Sequence, residues 1–571
     1  MLVLGISAYY HDSAAALIRD GVVIAAAAEE RFNRMKHYKG FPSLAICYCL
    51  SFASVSIDEI DTVVFYEKPF LKFERIIRTH INYAPRGLKM FNSAIPEWLK
   101  DKLNMRKTIS KEISKLFGSQ PRKIAFCHHH LSHAALAYYT SGYKKCAILV
   151  VDAVGEESTT SIYKASKQGF ELVRKQCFPH SLGLLYTAFT YFLGFKVNSD
   201  EYKVMGLAPY GDRTSSEYKR YKETILTDIV EIRDDGSICL NEKNFCFMYS
   251  DKMVNDKDWK RLFGIPRRVS SFPITQCHKN LALAIQDVSE EILQKMVDKA
   301  RLITGEESVC ISGGCALNCA AIGFIKSKME VGTVFVPFAP GDDGAAIGCA
   351  LFMSMPHLES SIYNQNPYLG PSYEDTQIKA YLDTEGVGYQ YVDDFSFLCD
   401  SITNDISDGK IVGWFQGRME FGPRALGNRS ILADPRNLQM KDIINSKVKF
   451  RESFRPFAPA VIEECAREVF DIEELSPYMM ATYRVRTDGA KYPAITHIDM
   501  TARVQTVSNN GNQLFYKLLT AFYNKTGCPL LLNTSFNVMG EPIVCSPSDA
   551  YRTFKESGMD VLVINNFIIR K

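Results

Sequence analysis

The first thirty residues alternate between apolar stretches and short polar turns. Residues 2–8 are apolar and predict a strand, and residues 14–18 predict a second one after a polar turn. The second stretch ends at Asp20-Gly21, a dipeptide typical of a tight hairpin turn. Residues 22–28 predict a third strand.

A related pattern recurs in the middle of the chain. Residues 147–151 are apolar, residues 152–157 form an acidic turn, and residues 159–163 predict the returning strand. Two copies of strand, polar turn and strand indicate an internal duplication. Two unrelated hairpins would explain the same pattern equally well.

Two strands run into glycine-rich turns and then into predicted helices. The first is residues 308–311, followed by Gly313 and Gly314. The second is residues 334–337, followed by a helix of small residues over 345–350. Such junctions place backbone N–H groups at a helix N-terminus, where phosphate groups bind.

Proline, glycine and polar residues predict a linker over residues 356–375. A second motif-rich region begins with the apolar residues 411–415 and reaches the C-terminus. We therefore predict an N-terminal domain over 1–355 and a C-terminal domain over 376–571, as expected for 571 residues.

Composition narrows the classes of protein that fit. Hydrophobic residues make up 46% and charged residues 23%, which is ordinary for a globular protein. The net charge of +3 is too small to indicate nucleic acid or a membrane surface as a partner. No apolar run approaches the ~20 residues of a membrane span. The N-terminus lacks the features of a signal peptide, and the 16 cysteines show no metal-site spacing, so we expect a cytoplasmic protein with reduced thiols.

A histidine cluster is the first candidate for chemistry. A spacing of four puts His129 and His133 on one face of a helix, while His130 with His133 is a competing pair. Asp152 and Asp342 add carboxylates from two acidic turns. Two imidazoles with carboxylates suit iron(II), manganese or zinc, although a solvated histidine cluster and surface aspartates would also account for these residues.

A histidine in the first turn is a second candidate. His11, next to Asp12, could accept a proton from an attacking hydroxyl. A turn residue without a chemical role is the plain alternative.

The densest polar motifs lie in the second half, over residues 417–430, 448–459 and 531–537. Their arginines alternate with glycine, proline and phenylalanine, unlike a solvated helix face. Guanidinium groups match phosphate oxygens, and Asn533 and Ser535 add further polar groups. These motifs predict an anion site, with nucleic acid as the alternative partner, which the low net charge disfavours.

Taken in order, these motifs are similar to those of a known family. The chain resembles the NodU/CmcH O-carbamoyltransferases nearly from end to end. The markers are His11–Ala15, Glu29–Phe32, His129–His133, Asp200–Gly211, Gly313–Asn318, Phe421–Gly427, Arg455–Pro459 and Asn533–Asn537.

The resemblance implies an α/β fold in both halves. The N-terminal domain would be a duplicated domain of the actin/hexokinase/Hsp70 type, similar to TsaD, and the C-terminal domain would be YrdC-like. The C-terminal domain would make carbamoyl adenylate from carbamoyl phosphate and ATP. The N-terminal domain would transfer the carbamoyl group to a hydroxyl of a small natural product or sugar at a mononuclear Fe²⁺ site. Another divalent metal, Mg²⁺ with the nucleotide and a homodimer are compatible with this expectation.

The resemblance also implies roles for individual residues. The catalytic base would be His11, and Lys36 would line the acceptor pocket. The metal ligands would be His129, His133, Asp152 and Asp342. The nucleotide in the N-terminal domain would contact Asp152, Gly313, Gly314 and Asn318. Carbamoyl phosphate and the adenylate would be held by Arg424, Lys449, Arg451, Arg455, Arg503, Asn533 and Ser535.

Two departures and two alternatives accompany the resemblance. Cys315 stands where the family usually has valine. The turn before His11 is short, so the identity of the acceptor cannot be predicted from the sequence.

A tRNA threonylcarbamoyl transferase has the two halves as separate proteins. This chain fuses the two halves and has no excess of basic residues, so it fits that class less well. A nucleotide-dependent switch or chaperone of the actin superfamily would not need His129, His133 and the arginine cluster.

Overall fold

The computed structural model describes residues 1–98, 102–354, 365–452, 454–486 and 489–571. They form two compact units. Unit 1 comprises Met1–Ile24 and Gly40–Gln365, and unit 2 comprises Ala25–Lys39 and Asn366–Lys571. Part of the predicted linker, residues 356–364, lies outside the described residues. Unit 2 thus takes a short N-terminal segment that the sequence pattern alone does not assign to it.

The first sheet is five-stranded, in the order β3-β2-β1-β4-β5. Strand β1 is antiparallel to β2 and parallel to β4, and β4 is parallel to β5. The strands are β1 Leu2–Ser7, β2 Ala14–Arg19, β3 Val22–Ala28, β4 Thr62–Phe65 and β5 Ile124–Phe126.

The second sheet repeats this arrangement in the order β8-β7-β6-β11-β12. Strands β6, β7 and β8 are joined in antiparallel pairs, and β11 is parallel to both β6 and β12. The strands are β6 Lys145–Val151, β7 Ser158–Ser166, β8 Gly169–Cys177, β11 Val309–Ser312 and β12 Val334–Phe335, with a separate pair of β9 Val230–Ile232 and β10 Ile238–Leu240. The shared topology confirms the internal duplication.

The helices of unit 1 connect and cover these strands. They are α2 Ser43–Ala53, α3 Pro69–Tyr83, α4 Leu88–Glu97, α5 Met105–Phe117, α6 His129–Ser141, α7 Leu182–Phe192, α8 Glu201–Leu207, α9 Ser216–Thr224, α10 Asp256–Phe263, α11 Gln276–Thr304, α12 Cys319–Lys328 and α13 Asp342–Ser354. The helix of unit 2 that precedes them is α1 Glu30–Asn33.

Small residues let helix α13 approach its neighbours closely. A Cβ at Gly348 would lie 1.9 Å from the carbonyl oxygen of Ser132 on α6, and a Cβ at Gly5 on β1 would lie 1.9 Å from that of Ala346 on α13. Only glycine fits at such a distance. The helix that begins at Asp342 is therefore fixed against the helix that carries the histidine cluster.

Unit 2 is built on one eight-stranded mixed sheet, in the order β13-β22-β21-β14-β15-β20-β16-β19. Its strands are β13 Gln390–Tyr391, β14 Val412–Phe415, β15 Arg429–Ala433, β16 Ala458–Ile462, β19 Gln505–Val507, β20 Leu530–Ser535, β21 Val561–Ile564 and β22 Phe567–Arg570, with a separate pair of β17 Thr482–Arg484 and β18 Thr501–Arg503. Its remaining helices are α14 Asp375–Thr384, α15 Phe395–Ser407, α16 Met440–Ile443, α17 Ala466–Val469, α18 Gln513–Thr526 and α19 Pro547–Glu556.

The central strands of this sheet are buried on both faces. Every residue of β14, β15, β16 and β21 is buried. Burial on both faces explains why β14, β16 and β21 are apolar throughout, whereas β15 begins with the polar residues Arg429 and Ser430. The α/β class predicted for both halves is confirmed. Among the described residues, no helix has the length and apolar character needed to span a membrane.

Candidate functional site

Helix α6 presents two histidines to the interior of unit 1. His129 and His133 lie one turn apart, and they are 2% and 0% exposed. The backbone N–H of His129 donates to Oε1 of Glu156 at 2.9 Å. The hydroxyl of Ser132 donates to the carbonyl oxygen of Tyr66 at 3.0 Å. The first bond satisfies a backbone N–H that has no acceptor within the helix, and the second ties the first turn of α6 to the residue after β4.

Two aspartates approach these imidazoles from other elements. Asp152 follows β6, and Asp342 is the first residue of α13. Nε2 of His129 lies 3.0 Å from Oδ2 of Asp152 and 3.6 Å from Oδ1 of Asp342. Nε2 of His133 lies 3.4 Å from that oxygen of Asp342 and 3.1 Å from Nε2 of His129. One ligand atom from each of the four residues lies within 4.8 Å of the others, a donor set that fits a divalent metal ion.

The aspartates stabilise the protonated form of His129, and His129 stabilises the ionised form of Asp152. Burial lowers the pKa of His129, but Asp342 and Asp152 outweigh burial and raise it to about 9. Burial raises the pKa of Asp152, yet the hydrogen bond and positive charge of His129 hold it well below its usual value. His129 therefore carries a proton at neutral pH in the absence of a metal, and a metal ion must displace that proton.

The competing histidine is engaged elsewhere. Nδ1 of His130 lies 2.7 Å from the hydroxyl of Ser161. Burial, and then the charge of His129, lower the pKa of His130 to about 3. The four-residue group found in the described part of the chain contains His129 and His133, and His130 is outside it.

His11 lies beside this group, in the turn between β1 and β2. Its Nδ1 is 2.9 Å from Oδ2 of Asp12, and its Nε2 is 3.7 Å from Oδ2 of Asp342. Burial lowers the pKa of His11, but Asp342 and Asp12 outweigh burial and raise it to about 9. The histidine predicted as a base therefore shares Asp342 with the predicted metal ligands.

The first glycine-rich turn also reaches this group. Gly313 has a φ of +90°, and a Cβ there would lie 2.4 Å from a carbonyl oxygen at the end of β6, so this position requires glycine. The backbone N–H of Gly314 donates to Oδ1 of Asp152 at 3.3 Å. The side chain of Asn318 caps α12 and exchanges hydrogen bonds with Gln286 at 3.0 and 3.1 Å. Of the predicted nucleotide contacts, Gly314 thus directly adjoins Asp152, and the side chain of Asn318 is held by protein groups.

A buried lysine marks the basic cluster of unit 2. Lys449 is 3% exposed. Its Nζ donates to the carbonyl oxygen of Asn537 at 2.9 Å, to Oδ1 of Asn537 at 2.8 Å and to the hydroxyl of Ser535 at 3.3 Å. Two motifs that are far apart in the sequence therefore meet at the end of β20.

The charges that act most strongly on the pKa of Lys449 are positive. Burial, followed by Arg451, Arg455 and Lys36, lowers its pKa well below the usual value. Lys36, predicted to line the acceptor pocket, belongs to unit 2 and lies within electrostatic reach of Lys449. An anion bound in this cluster would offset the repulsion between these charges.

The two arginines of the second motif are positioned by neighbouring groups. Nε of Arg451 donates to Oδ1 of Asn445 at 2.7 Å, and its guanidinium lies 4.5 Å from the ring centroid of Phe457. Nη1 of Arg455 lies 3.8 Å from a carboxylate oxygen of Glu452.

Asn533 ties the first arginine motif to the sheet. It is 1% exposed, and its Nδ2 donates to the carbonyl oxygen of Ala425 at 3.2 Å and to Oε1 of Gln505 at 2.9 Å. Arg424 is the residue before Ala425, and Arg503 ends β18. Within the described residues, Oδ1 of Asn533 and Nε of Arg503 are buried without a hydrogen-bond partner, as expected where a polar ligand binds.

Two residues that support the arginine motif were not singled out from the sequence. Oε1 of Glu420 accepts hydrogen bonds from the backbone N–H groups of Leu426, Asn428 and Arg429. Arg429 is fully buried, and its guanidinium donates to the carbonyl oxygen of Gln416 at 2.7 Å. Both lie inside the predicted anion motif, but their partners are backbone groups, so their role is to shape the loop.

Two family models match the chain. The model described as Carbamoyltransferase N-terminus matches residues 2–351, and the one described as Carbamoyltransferase C-terminus matches residues 403–571. An uncharacterized protein of Synechocystis sp. is 43% identical over 603 residues, covering 100% of this chain and 96% of that protein.

Two further relatives carry functional names. The nodulation protein NolNO of Sinorhizobium fredii is 38% identical over 574 residues, covering 99% of this chain and 79% of that protein. The 3'-hydroxymethylcephem-O-carbamoyltransferase of Amycolatopsis lactamdurans is 33% identical over 285 residues, covering 49% of this chain and 52% of that protein. The chain is therefore a carbamoyltransferase, a member of the NodU/CmcH family that its motifs resemble.

Proposed function

We propose that this carbamoyltransferase uses ATP and carbamoyl phosphate to place a carbamoyl group on a hydroxyl of a small molecule, through carbamoyl adenylate. The observation that carries the proposal is the group of His129, His133, Asp152 and Asp342, with His11 at 3.7 Å from Asp342. The name of the cephem O-carbamoyltransferase relative supports a hydroxyl acceptor.

The adenylation half-reaction is assigned to unit 2. Water cleaves carbamoyl phosphate to carbamate and inorganic phosphate, and a carbamate oxygen then attacks the α-phosphorus of ATP and expels pyrophosphate. Arg424, Arg455 and Arg503, with Lys449, would offset the negative charge that collects on the phosphates. The buried Oδ1 of Asn533 and Nε of Arg503 offer one acceptor and one donor to the bound intermediate.

The transfer half-reaction is assigned to unit 1. The acceptor hydroxyl attacks the carbamoyl carbon, its proton passes to Nε2 of His11, and AMP leaves with the electron pair of the broken bond. The pKa of about 9 keeps His11 protonated while Asp342 is uncompensated. A cation held by Asp342 would oppose that effect and favour the neutral imidazole that a base requires.

His129, His133, Asp152 and Asp342 would hold the metal ion, which we propose is Fe²⁺. When bound, this ion would act as a Lewis acid toward the phosphate of the adenylate. Oδ1 of Asp152 also accepts from the backbone N–H of Gly314, which links the metal ligands to the turn proposed to contact the nucleotide.

The products of ATP cleavage test this function. The full chain is incubated with ATP, with and without carbamoyl phosphate, and AMP, ADP and pyrophosphate are separated. We expect AMP and pyrophosphate that depend on carbamoyl phosphate, and a carbamoyl mass gain when a suitable alcohol is added. Release of ADP, with no effect of carbamoyl phosphate, would contradict the proposal and indicate an ATPase switch.

A further inference from the structure

Tyr66 lies directly after β4 in unit 1, and its side chain is fully buried. Among the described residues, its hydroxyl has no hydrogen-bond partner. Such a hydroxyl lowers the stability of the folded chain, because it gives up its hydrogen bonds to water and receives none in return. Phenylalanine would fill the same space without this cost. The hydroxyl therefore has an explanation outside the packing of the core.

The backbone of Tyr66 is held from two sides. Its N–H donates to the carbonyl oxygen of Ile6 at 3.1 Å, which continues the parallel pairing of β4 with β1. Its carbonyl oxygen accepts from the hydroxyl of Ser132 on α6 at 3.0 Å. Its ring makes an edge contact with the ring of Phe65, with 5.2 Å between the centroids. These contacts fix the residue, so a partner for its hydroxyl has to be brought to it.

The side chain of Tyr66 borders the four proposed metal ligands. Its ring centroid lies 5.3 Å from that of His129, with 57° between the ring planes. Burial raises the pKa of Tyr66 well above its usual value, and nearby acidic groups add to that effect: Glu67, Asp342, Tyr10 and Asp152. The hydroxyl is therefore within electrostatic reach of both proposed aspartate ligands.

The aspartates themselves do not pair with this hydroxyl. Oδ1 of Asp152 accepts from the backbone N–H groups of Ala153 and Gly314, and its Oδ2 lies 3.0 Å from Nε2 of His129. Oδ2 of Asp342 is buried without a hydrogen bond to any described residue. A bound molecule can supply the acceptor that the hydroxyl lacks.

The surroundings select the chemistry of that molecule. Ionised Asp152, Asp342 and Glu67 only accept hydrogen bonds, so a donor group of a ligand has acceptors to choose from. An acceptor group of a ligand needs a donor, and the phenol provides one without adding a charge. Phosphate oxygens accept strongly, and a divalent metal ion would offset their repulsion by the aspartates.

We propose that the hydroxyl of Tyr66 donates a hydrogen bond to a phosphate oxygen of the nucleotide that binds at the four metal ligands. Tyr66 is thus a binding residue for the phosphate of the adenylate, and it is not a metal ligand. This inference rests on the proposed function, in which the adenylate binds beside the metal ion.

Tyr66→Phe tests the inference, because it removes the hydroxyl and keeps the ring. The full chain is loaded with Co²⁺, and AMP is added while the visible absorption of the bound Co²⁺ is followed. This signal reports on the metal ligands and not on the basic cluster of unit 2. We expect Tyr66→Phe to bind AMP about tenfold more weakly than the unsubstituted chain, with unchanged affinity for Co²⁺.

The melting temperature of the metal-free protein is the second measurement. It should be equal or higher in Tyr66→Phe, because an unpaired buried hydroxyl is removed and no hydrogen bond is lost. Tyr138→Phe is the matched control on α6, since Tyr138 is also buried but its hydroxyl donates to the carbonyl oxygen of Lys144 at 3.0 Å. That variant should melt at a lower temperature and keep its affinity for AMP.

Three results would overturn the inference. The first is an affinity for AMP that is the same with and without the hydroxyl, or a Co²⁺ spectrum of the unsubstituted chain that does not respond to AMP. The second is a lower melting temperature of metal-free Tyr66→Phe, which would show that the hydroxyl already has a partner, such as an internal water. The third is an equal loss of Co²⁺ affinity, which would assign the hydroxyl to the metal.

The proposed function is measured separately, as AMP formation from ATP and carbamoyl phosphate. Absence of this reaction in the unsubstituted chain would refute the proposed function. The affinities for added AMP would still decide whether Tyr66 contacts the phosphate.

Discussion

Oε1 of Glu420 accepts a hydrogen bond from the backbone N–H of Leu426 at 2.6 Å, across the loop that carries Arg424. The same oxygen accepts from the N–H groups of Asn428 and Arg429 at 3.3 and 3.2 Å. One buried carboxylate therefore accepts hydrogen bonds from three backbone N–H groups of this loop and of the start of β15. The position of Arg424 therefore depends on Glu420, whose Oε1 accepts only from backbone N–H groups of the described residues.

Replacing Glu420 should damage both stability and adenylation. Glu420→Ala leaves buried N–H groups without an acceptor, and we expect a loss of about 2–3 kcal/mol in the free energy of unfolding. Glu420→Gln keeps one acceptor oxygen and should lose less. Urea unfolding and pyrophosphate release measure the two effects. Full adenylation by Glu420→Ala would show that the loop does not need this carboxylate.

The close contact between α13 and α6 should couple packing to metal binding. Gly348→Ala places a Cβ 1.9 Å from the carbonyl oxygen of Ser132, so the helices must separate. We expect a loss of about 1–3 kcal/mol in stability from overpacking, and weaker metal binding because Asp342 moves away from the histidines. Thermal unfolding and a Co²⁺ titration measure these changes. Gly388→Ala, where the new Cβ meets no atom within 4 Å, is the control and should leave both unchanged.

Metal affinity should increase with pH. His129 has a pKa of about 9 without metal, so its proton must leave when Nε2 becomes a ligand. Below that pH, the apparent affinity for Co²⁺ should rise by up to about tenfold per pH unit, and it should level off as the pH passes the pKa of His129. His128→Gln, with an exposed side chain outside the group, should retain this profile. An affinity that is flat over this range would show that His129 is not a ligand.

Binding of an anion in unit 2 should be accompanied by proton uptake. The pKa of Lys449 is lowered by burial and by Arg451, Arg455 and Lys36, and a bound phosphate would raise it again. Between the lowered pKa and the usual one, the amine is neutral before binding and protonated afterwards. Calorimetric titration with phosphate in two buffers of different ionisation enthalpy detects that proton.

Substitution of Lys449, compared with substitution of the nearby Lys447, identifies the group that takes up the proton. Lys449→Met should abolish the proton uptake and weaken phosphate binding by about tenfold. Lys447→Met, at an exposed position, should keep both properties. Proton uptake that survives in Lys449→Met would assign it to another group.

Much of unit 1 could be predicted from the sequence because its signals are local. Strands β2 and β3 follow from apolar stretches and from the Asp20-Gly21 turn, and the histidine spacing follows from the period of a helix. The choice between His130 and His129 could not be made locally, because it depends on Ser161, which lies on a strand of the second sheet.

The parts that escaped prediction depend on contacts between distant segments. The membership of residues 25–39 in unit 2 rests on bonds such as that from Nη1 of Arg34 to the carbonyl oxygen of Ile543, which no local pattern encodes. Glu420 is indistinguishable from a surface glutamate until its three backbone partners are seen.

The two half-reactions should separate by mutation. His11→Asn removes the proposed base and should lower carbamoyl transfer by about 10²–10⁴-fold, while AMP formation from carbamoyl phosphate is retained. Arg424→Ala should block adenylation, yet still transfer from carbamoyl adenylate supplied in solution. The reason is that His11 and Arg424 belong to different units, and each is assigned to the half-reaction proposed for its own unit. Equal loss of both half-reactions in His11→Asn, with an unchanged melting temperature, would refute this division, because a base that acts on the acceptor cannot influence a step in which no acceptor takes part.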